Sequence, residues 1–125
     1  MKNLIFILLT LCLVISGNAQ EVVNKDNFKS KIAKDIVVVE FWAGWNAQNE
    51  FKELVKLKQC NVYRVDIVSD MNLQLDYKVE AIPTVIIFEN GTEKERFKPN
   101  IMFQLDADKK IIQNSIDTLL LNKFQ

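Results

Sequence analysis

One thiol, two carboxamides and one carboxylate in an apolar strand are the side chains of this sequence best placed to do chemistry. Cys60 is the thiol; the other cysteine, Cys12, falls in an apolar N-terminal run. A single cysteine closes no internal disulfide and runs no dithiol–disulfide cycle by itself. Cys60 is therefore either a half-buried spectator or, in an oxidising compartment, a reactive or intermolecular thiol. Asn46 and Asn49 stand three residues apart behind Phe41-Trp42-Ala43-Gly44-Trp45. A carboxamide neither ionises usefully nor attacks sulfur, so this pair offers hydrogen bonds and not reaction. Asn46 is also of the residue type that best opens a helix, its side-chain oxygen capping free N–H groups. Glu40 follows Ile36-Val37-Val38-Val39, and a carboxylate buried in such a strand needs a partner. No histidine occurs, which removes the usual general base and the commonest metal ligand. These residues call for no cofactor and no metal.

Residues 1–19 have the layout of a secretory signal peptide. Met1-Lys2-Asn3 carries a positive charge, Leu4 to Ile15 is an apolar run of about twelve residues, and Ser16-Gly17-Asn18-Ala19 supplies small residues for cleavage after Ala19. The run is too short for an ordinary spanning helix. Lipidation at Cys12 fits less well, because Leu11 before it is not small. The expectation is a periplasmic or secreted domain over residues 20–125, the size of one compact unit. Basic and acidic residues number 16 each in the full chain, and loss of Lys2 with the leader tips the balance by one negative charge. No basic stripe offers itself to nucleic acid, and no second apolar segment is long enough to cross a bilayer, so neither is an expected partner of the mature domain. At 49% hydrophobic residues, an ordinary apolar core must hold it together.

The elements that position the candidates follow from periodicity. Asp26 to Ala33 places Phe28 and Ile32 at helical spacing behind a capping Asp or Asn. Ile36 to Phe41 is an uninterrupted run expected of a central strand covered on both faces. Asn46 to Lys58 reads as a helix, with Phe51, Leu54, Val55 and Lys58 on neighbouring faces. Asn61 to Ile67 reads as a strand, and Ser69 to Lys78 as a short helix capped by Ser69 or Asp70. Val85 to Phe88 leads into an Asn90-Gly91 hairpin turn and a return strand from Glu93 to Phe97. Ala107 to Asn122 carries Ile111, Ile112, Ile116, Leu119 and Leu120 at a 3.6-residue period behind Asp106 or Asp108. With Glu21-Val22-Val23 as a first edge strand, the order β-α-β-α-β-α-β-β-α predicts an α/β domain, a mixed central β-sheet with helices on both faces.

This order, and four motifs on it, resemble the thioredoxin family over essentially the whole mature chain. Val38-Val39-Glu40-Phe41-Trp42-Ala43 matches the strand that carries the family's buried acid and enters its active site. Val65-Asp66 matches the end of the next strand, Ala81-Ile82-Pro83-Thr84 the cis-proline signature, and Phe88-Glu89-Asn90-Gly91 the hairpin. The resemblance implies the thioredoxin fold. It also implies that Asn46 and Asn49 occupy the positions of the two active-site cysteines, with Ala47-Gln48 in place of Gly-Pro. A thioredoxin-type site works by a thiolate stabilised at a helix N-terminus, which attacks a disulfide and is resolved by the second cysteine. Both reacting atoms are absent here, and thiol–disulfide oxidoreductase activity is expected to be lost. The segment after Asn49 also lacks the family's mid-helix proline, and Arg64 follows Asn49 some two helical turns early. Lys98-Pro99 stands where a glycine is common.

The same resemblance implies what remains. A cis Ile82-Pro83 bond would turn the Ile82 backbone toward the site, where an extended peptide can pair with it; otherwise it holds the turn into the next strand. Arg64 falls where the family often has a lysine near the buried acid, and a Glu40–Arg64 ion pair under the site is expected. The function expected is redox-inactive binding of a protein or extended peptide across Trp42, Trp45, Asn46, Asn49, Ile82 and Pro83. The rival expectations are residual or monothiol activity through Cys60, and a structural subunit whose former active face is buried in an oligomer.

Overall fold

The computed structural model describes residues 21–124; the expected leader and its expected cleavage site after Ala19 lie outside them. Asn24 holds the turn that leads into the first helix. Its Oδ1 accepts the N–H groups of Asp26 and Asn27 at 2.9 and 3.2 Å, and its carbonyl accepts that of Phe28 at 2.9 Å. Asn27 takes the N-cap position, as expected of the Asp26-Asn27 pair, but makes no side-chain capping hydrogen bond. Helix α1 (Phe28–Ile32) buries Phe28 and Ile32. Four strands follow, β1 (Ile36–Trp42), β2 (Asn61–Asp66), β3 (Thr84–Glu89) and β4 (Thr92–Phe97), with α2 (Met71–Asp76) before β3 and α3 (Lys109–Asn122) after β4. They form one mixed sheet in the order β2-β1-β3-β4. Strand β1 is parallel to β2 and antiparallel to β3, and β4 is antiparallel to β3.

Alternation along β1 divides the core into two layers. Val37, Val39 and Phe41 face α1 and α2, packing with Phe28, Ile32, Leu73 and Phe88; Ile36 and Val38 face α3, packing with Val85, Ile87, Ile112 and Ile116. Helices therefore cover both faces of the sheet. Between β3 and β4, Asn90 (φ 48°) and Gly91 (φ 83°) both take positive φ, the conformation of a two-residue hairpin turn. Asn90 also docks the hairpin on the α1–β1 loop. Its N–H reaches the Asp35 carbonyl at 3.1 Å, and its Oδ1 accepts the Asp35 N–H at 2.9 Å. At the start of α3, the Asp108 carboxylate accepts the Ile111 N–H at 2.9 Å.

Three local expectations give way to the tertiary structure. Among the described residues Glu21 to Val23 contributes one parallel bridge in place of a full strand: Val22 bridges Arg64, flanked by hydrogen bonds from Val23 N–H to Arg64 O and from Arg64 N–H to Glu21 O. Neither Ser69 nor Asp70 caps α2 through its side chain, for Asp70 precedes the helix without a capping hydrogen bond. Asp66 instead accepts the Val68 N–H at 2.9 Å and the Ser69 hydroxyl at 3.3 Å. The helix expected from Asn46 to Lys58 is replaced by two 3-10 turns, Gly44–Asn49 and Leu54–Lys56. Phe51, Leu54 and Leu57 are the buried apolar residues there, spaced by three, which suits three residues per turn. The Phe51 N–H is also diverted: it donates to Glu40 Oε2 at 2.7 Å, whereas an α-helix would direct it to the Ala47 carbonyl.

Candidate functional site

The candidate residues meet where β1 and β2 end and β3 begins. Trp42 closes β1, and the pairing of Phe41 with Thr84 sets Ile82-Pro83 beside it. The Ile82-Pro83 peptide is cis, and the Thr84 hydroxyl donates to the Ala81 carbonyl at 2.6 Å across this turn. The next segment, Gly44–Asn49, brings Trp45, Asn46 and Asn49 over the strand ends.

Asn46 does not open a helix. Ala43 precedes the 3-10 turn without a side-chain cap, and Asn46 itself lies inside the turn with φ −116° and ψ 26°. Its carboxamide is buried and turned inward. Nδ2 donates to the Phe103 carbonyl at 3.0 Å and to the Ile82 carbonyl at 3.5 Å, while Oδ1 accepts Asn49 Nδ2 at 2.9 Å. A carboxamide has two N–H donors, and both point at carbonyls of this chain.

Phe103 was not among the residues singled out by sequence. It lies in the connection between β4 and α3, where Pro99 bridges to Leu105 and the Asn100 N–H donates to the Gln104 carbonyl at 2.8 Å. The Asn100 side-chain oxygen accepts the Met102 and Gln104 N–H groups, and Phe103 takes a positive φ of 57°. The loop folds back over the site, and the Phe103 ring meets Trp45 edge-on at 5.8 Å. Ile101-Met102-Phe103, an apolar triplet between two polar residues, is the sequence signal that could have marked it. Trp45 is 65% exposed, Ile101 98%, Met102 66% and Phe103 47%, whereas Ile82 is 2% exposed. Pro83 is likewise buried and Trp42 half-buried. The Trp42 indole N–H is buried with no acceptor among the described residues.

Below this face Glu40 is fully buried. Arg64, opposite it on β2, donates to Oε1 from Nη2 at 2.9 Å and from Nε at 3.0 Å. Oε2 takes the Phe51 N–H. Arg64 also meets Glu50 at 3.3 Å and lies 5.5 Å from the centre of the Trp42 ring. Burial pushes the Glu40 carboxyl above its ordinary value of 4.5, against the downward pull of the Phe51 N–H and of Arg64. The acid thus anchors both β2 and the segment carrying the site.

Comparison with known proteins fixes the lineage. The family model described as thioredoxin matches residues 19–113. The chain belongs to the thioredoxin family. It is 33% identical over 82 residues to a thioredoxin of Chlamydia trachomatis serovar D, covering 61% of this chain and 80% of that protein. It is 30% identical over 70 residues to a thioredoxin of Mycoplasma genitalium, covering 51% and 69%. Among solved structures, a mutant thioredoxin from Halobacterium salinarum superposes with a TM-score of 0.65 at 20% identity, over 79% of this chain and 88% of that one. A designed protein superposes at 0.66 and 20% identity, over 82% and 98%. These two share the fold.

In this thioredoxin-family domain Cys60 is the one cysteine among the described residues. It lies at the other end of the parallel strand pair. Asn61, the next residue, pairs with Val37, whereas Trp42 pairs with Asp66, about 17 Å further along the strands. Burial against the α3 layer pushes its thiol up from 9.0 to about 11. At pH 7.5 its alkylation by iodoacetamide, followed by mass spectrometry, should run about a hundredfold slower than that of an ordinary thiol, and should accelerate with pH toward 11. Complete labelling within minutes at neutral pH would contradict this.

Proposed function

We propose that this thioredoxin-family domain is a redox-inactive binding module, exported to the periplasm or beyond, that docks an extended peptide or unfolded protein segment on its former active-site face. One observation carries the reading: both carboxamides at the cysteine positions are engaged in hydrogen bonds of the face itself, while Trp45 stands exposed beside them. A site that neither ionises nor attacks can still hold a chain through aromatic contact and a backbone edge. Trp42, Trp45, Ile82 and Pro83 would form that dock, with Asn46 and Asn49 shaping its floor. Monothiol chemistry through Cys60 is less well supported, because its thiol is half-buried, held protonated and remote from the dock.

Two measurements test the proposal together. The protein should leave insulin disulfides intact in the presence of dithiothreitol, beyond the rate of dithiothreitol alone. Its tryptophan emission should change saturably on titration with a permanently unfolded, alkylated polypeptide, which carries no thiol. Catalysed insulin reduction, or the absence of any saturable response, would count against it.

A further inference from the structure

The docking face is partly engaged by the chain itself, although Trp45 keeps 65% of its surface exposed. An extended peptide pairing beside the cis-proline needs the Ile82 carbonyl as an acceptor and the Trp45 ring as an apolar wall. Asn46 Nδ2 already donates to that carbonyl, and the Phe103 ring already rests on Trp45. The same Nδ2 holds the Phe103 carbonyl at 3.0 Å, so one carboxamide ties the two occupants together. The segment bringing Phe103 there is a formed element: a bridge at Pro99 and Leu105 closes its base, and Asn100 folds its tip through two side-chain hydrogen bonds. Its remaining apolar side chains, Ile101 and Met102, stand in solvent.

We propose that residues 100–104 are an autoinhibitory strap, latched by Asn46, which occupies the peptide-docking face until an extended ligand displaces it. The inference rests on the docking role given under Proposed function, and it assigns Asn46 a role no cysteine at that position could fill. A carboxamide supplies two directed N–H donors, one for each carbonyl, whereas a thiol supplies one weak donor. It also places the selectivity of the face in the strap. A ligand must offer a backbone N–H to replace that of Asn46 at Ile82 and an apolar side chain to replace Phe103 at Trp45. Extended apolar peptide meets both conditions; a helix, its N–H groups already committed, does not.

Two variants separate the latch from the covering ring. Asn46→Asp is isosteric and keeps an acceptor for Asn49, but it sets oxygen against the Ile82 and Phe103 carbonyls. Phe103→Gly keeps the carbonyl and the positive φ and removes the ring. Amide hydrogen exchange of residues 100–104 should accelerate about tenfold in Asn46→Asp, while the β1 amides from Val37 to Phe41 stay protected and report an intact fold. A dye-labelled synthetic peptide of alternating valine and threonine should bind each variant about threefold to tenfold more tightly than the unaltered chain, by fluorescence anisotropy. Strap amides that exchange at the unaltered rate in Asn46→Asp would overturn the latch. A released strap with unchanged peptide affinity would overturn the occlusion. Should no form bind the peptide, the docking role falls, and the exchange rates still decide whether Asn46 holds the strap. If Asn46→Asp does not fold, Asn46→Ser, which loses one donor, takes its place in the exchange measurement.

Discussion

Replacing Arg64 by methionine is expected to lower the unfolding free energy by about 3–5 kcal/mol at neutral pH. Glu40 has no exposure, and Arg64 supplies two of its three hydrogen bonds. Removing the guanidinium leaves a buried carboxylate held by the Phe51 N–H alone. The pH dependence carries the sign of the effect. Burial already raises the folded-state value of Glu40 above 4.5, so the group binds its proton more tightly folded than unfolded. Its contribution to stability is then full below about 4.5 and is lost as pH rises through the folded-state value. Without Arg64 two downward influences vanish, the folded value climbs further, and the window of loss widens upward. Urea denaturation from pH 4 to pH 8 should therefore show the Arg64→Met deficit growing with pH. A deficit independent of pH would mean that the lost packing, and not the uncompensated charge, is responsible. Glu40→Gln combined with Arg64→Met should recover much of the loss, since Gln still accepts from Phe51 and carries no charge.

Introducing sulfur at the two asparagines is the second large change. Asn46→Cys with Asn49→Cys, in a Cys60→Ser background, is expected to form a disulfide on mild oxidation and to reduce insulin where the unaltered chain does not. The two side chains already meet at 2.9 Å across one 3-10 turn, in which residues three apart lie over one another at about 6 Å, within the span of a disulfide. The rate should nevertheless be about tenfold below that of a site with a thiol tuned to pKa 7. Six residues of 3-10 turn align few peptide dipoles. The first thiol would also face the Ile82 and Phe103 carbonyls that Asn46 now faces, which disfavours the thiolate. Insulin precipitation and the pH dependence of alkylation measure both points. Equal turnover by the unaltered protein would remove the basis for reading this face as redox-inactive.

Most of the scaffold was legible because its signals are local and redundant. The β-branched run from Ile36, the Asn90-Gly91 turn and the apolar period behind Asp108 each name an element by composition alone, and their order implies the sheet. The site segment was misread for a specific reason. Phe51, Leu54, Val55 and Lys58 fit a helical stripe, yet Val55 is 40% exposed and the burial falls on 51, 54 and 57. The deciding contact, Phe51 N–H to Glu40, joins residues on different elements and has no trace in either neighbourhood. The early arrival of Arg64 after Asn49 was the available clue, since it leaves too little chain for a full helix. Phe103 was missed likewise: Asn46 suits a helix cap by type, and only the folded loop supplies a carbonyl that claims it instead.

The bridge at Val22 has a consequence for how copies of this chain behave toward one another. A sheet has two borders, each a row of backbone groups able to recruit a foreign strand. At β4 that border carries Glu93, Lys94, Glu95 and Arg96, with Lys94 an extra residue between the pairs Ile87–Glu95 and Phe88–Glu93; charge and irregularity discourage recruitment. At β2, among the described residues, Glu21 to Val23 lie along the border and take up the backbone N–H and C=O of Arg64. Proteolytic trimming past Val23 would bare the middle of β2 and turn a sealed margin into an adhesive one. Those three residues are thus a guard against aggregation.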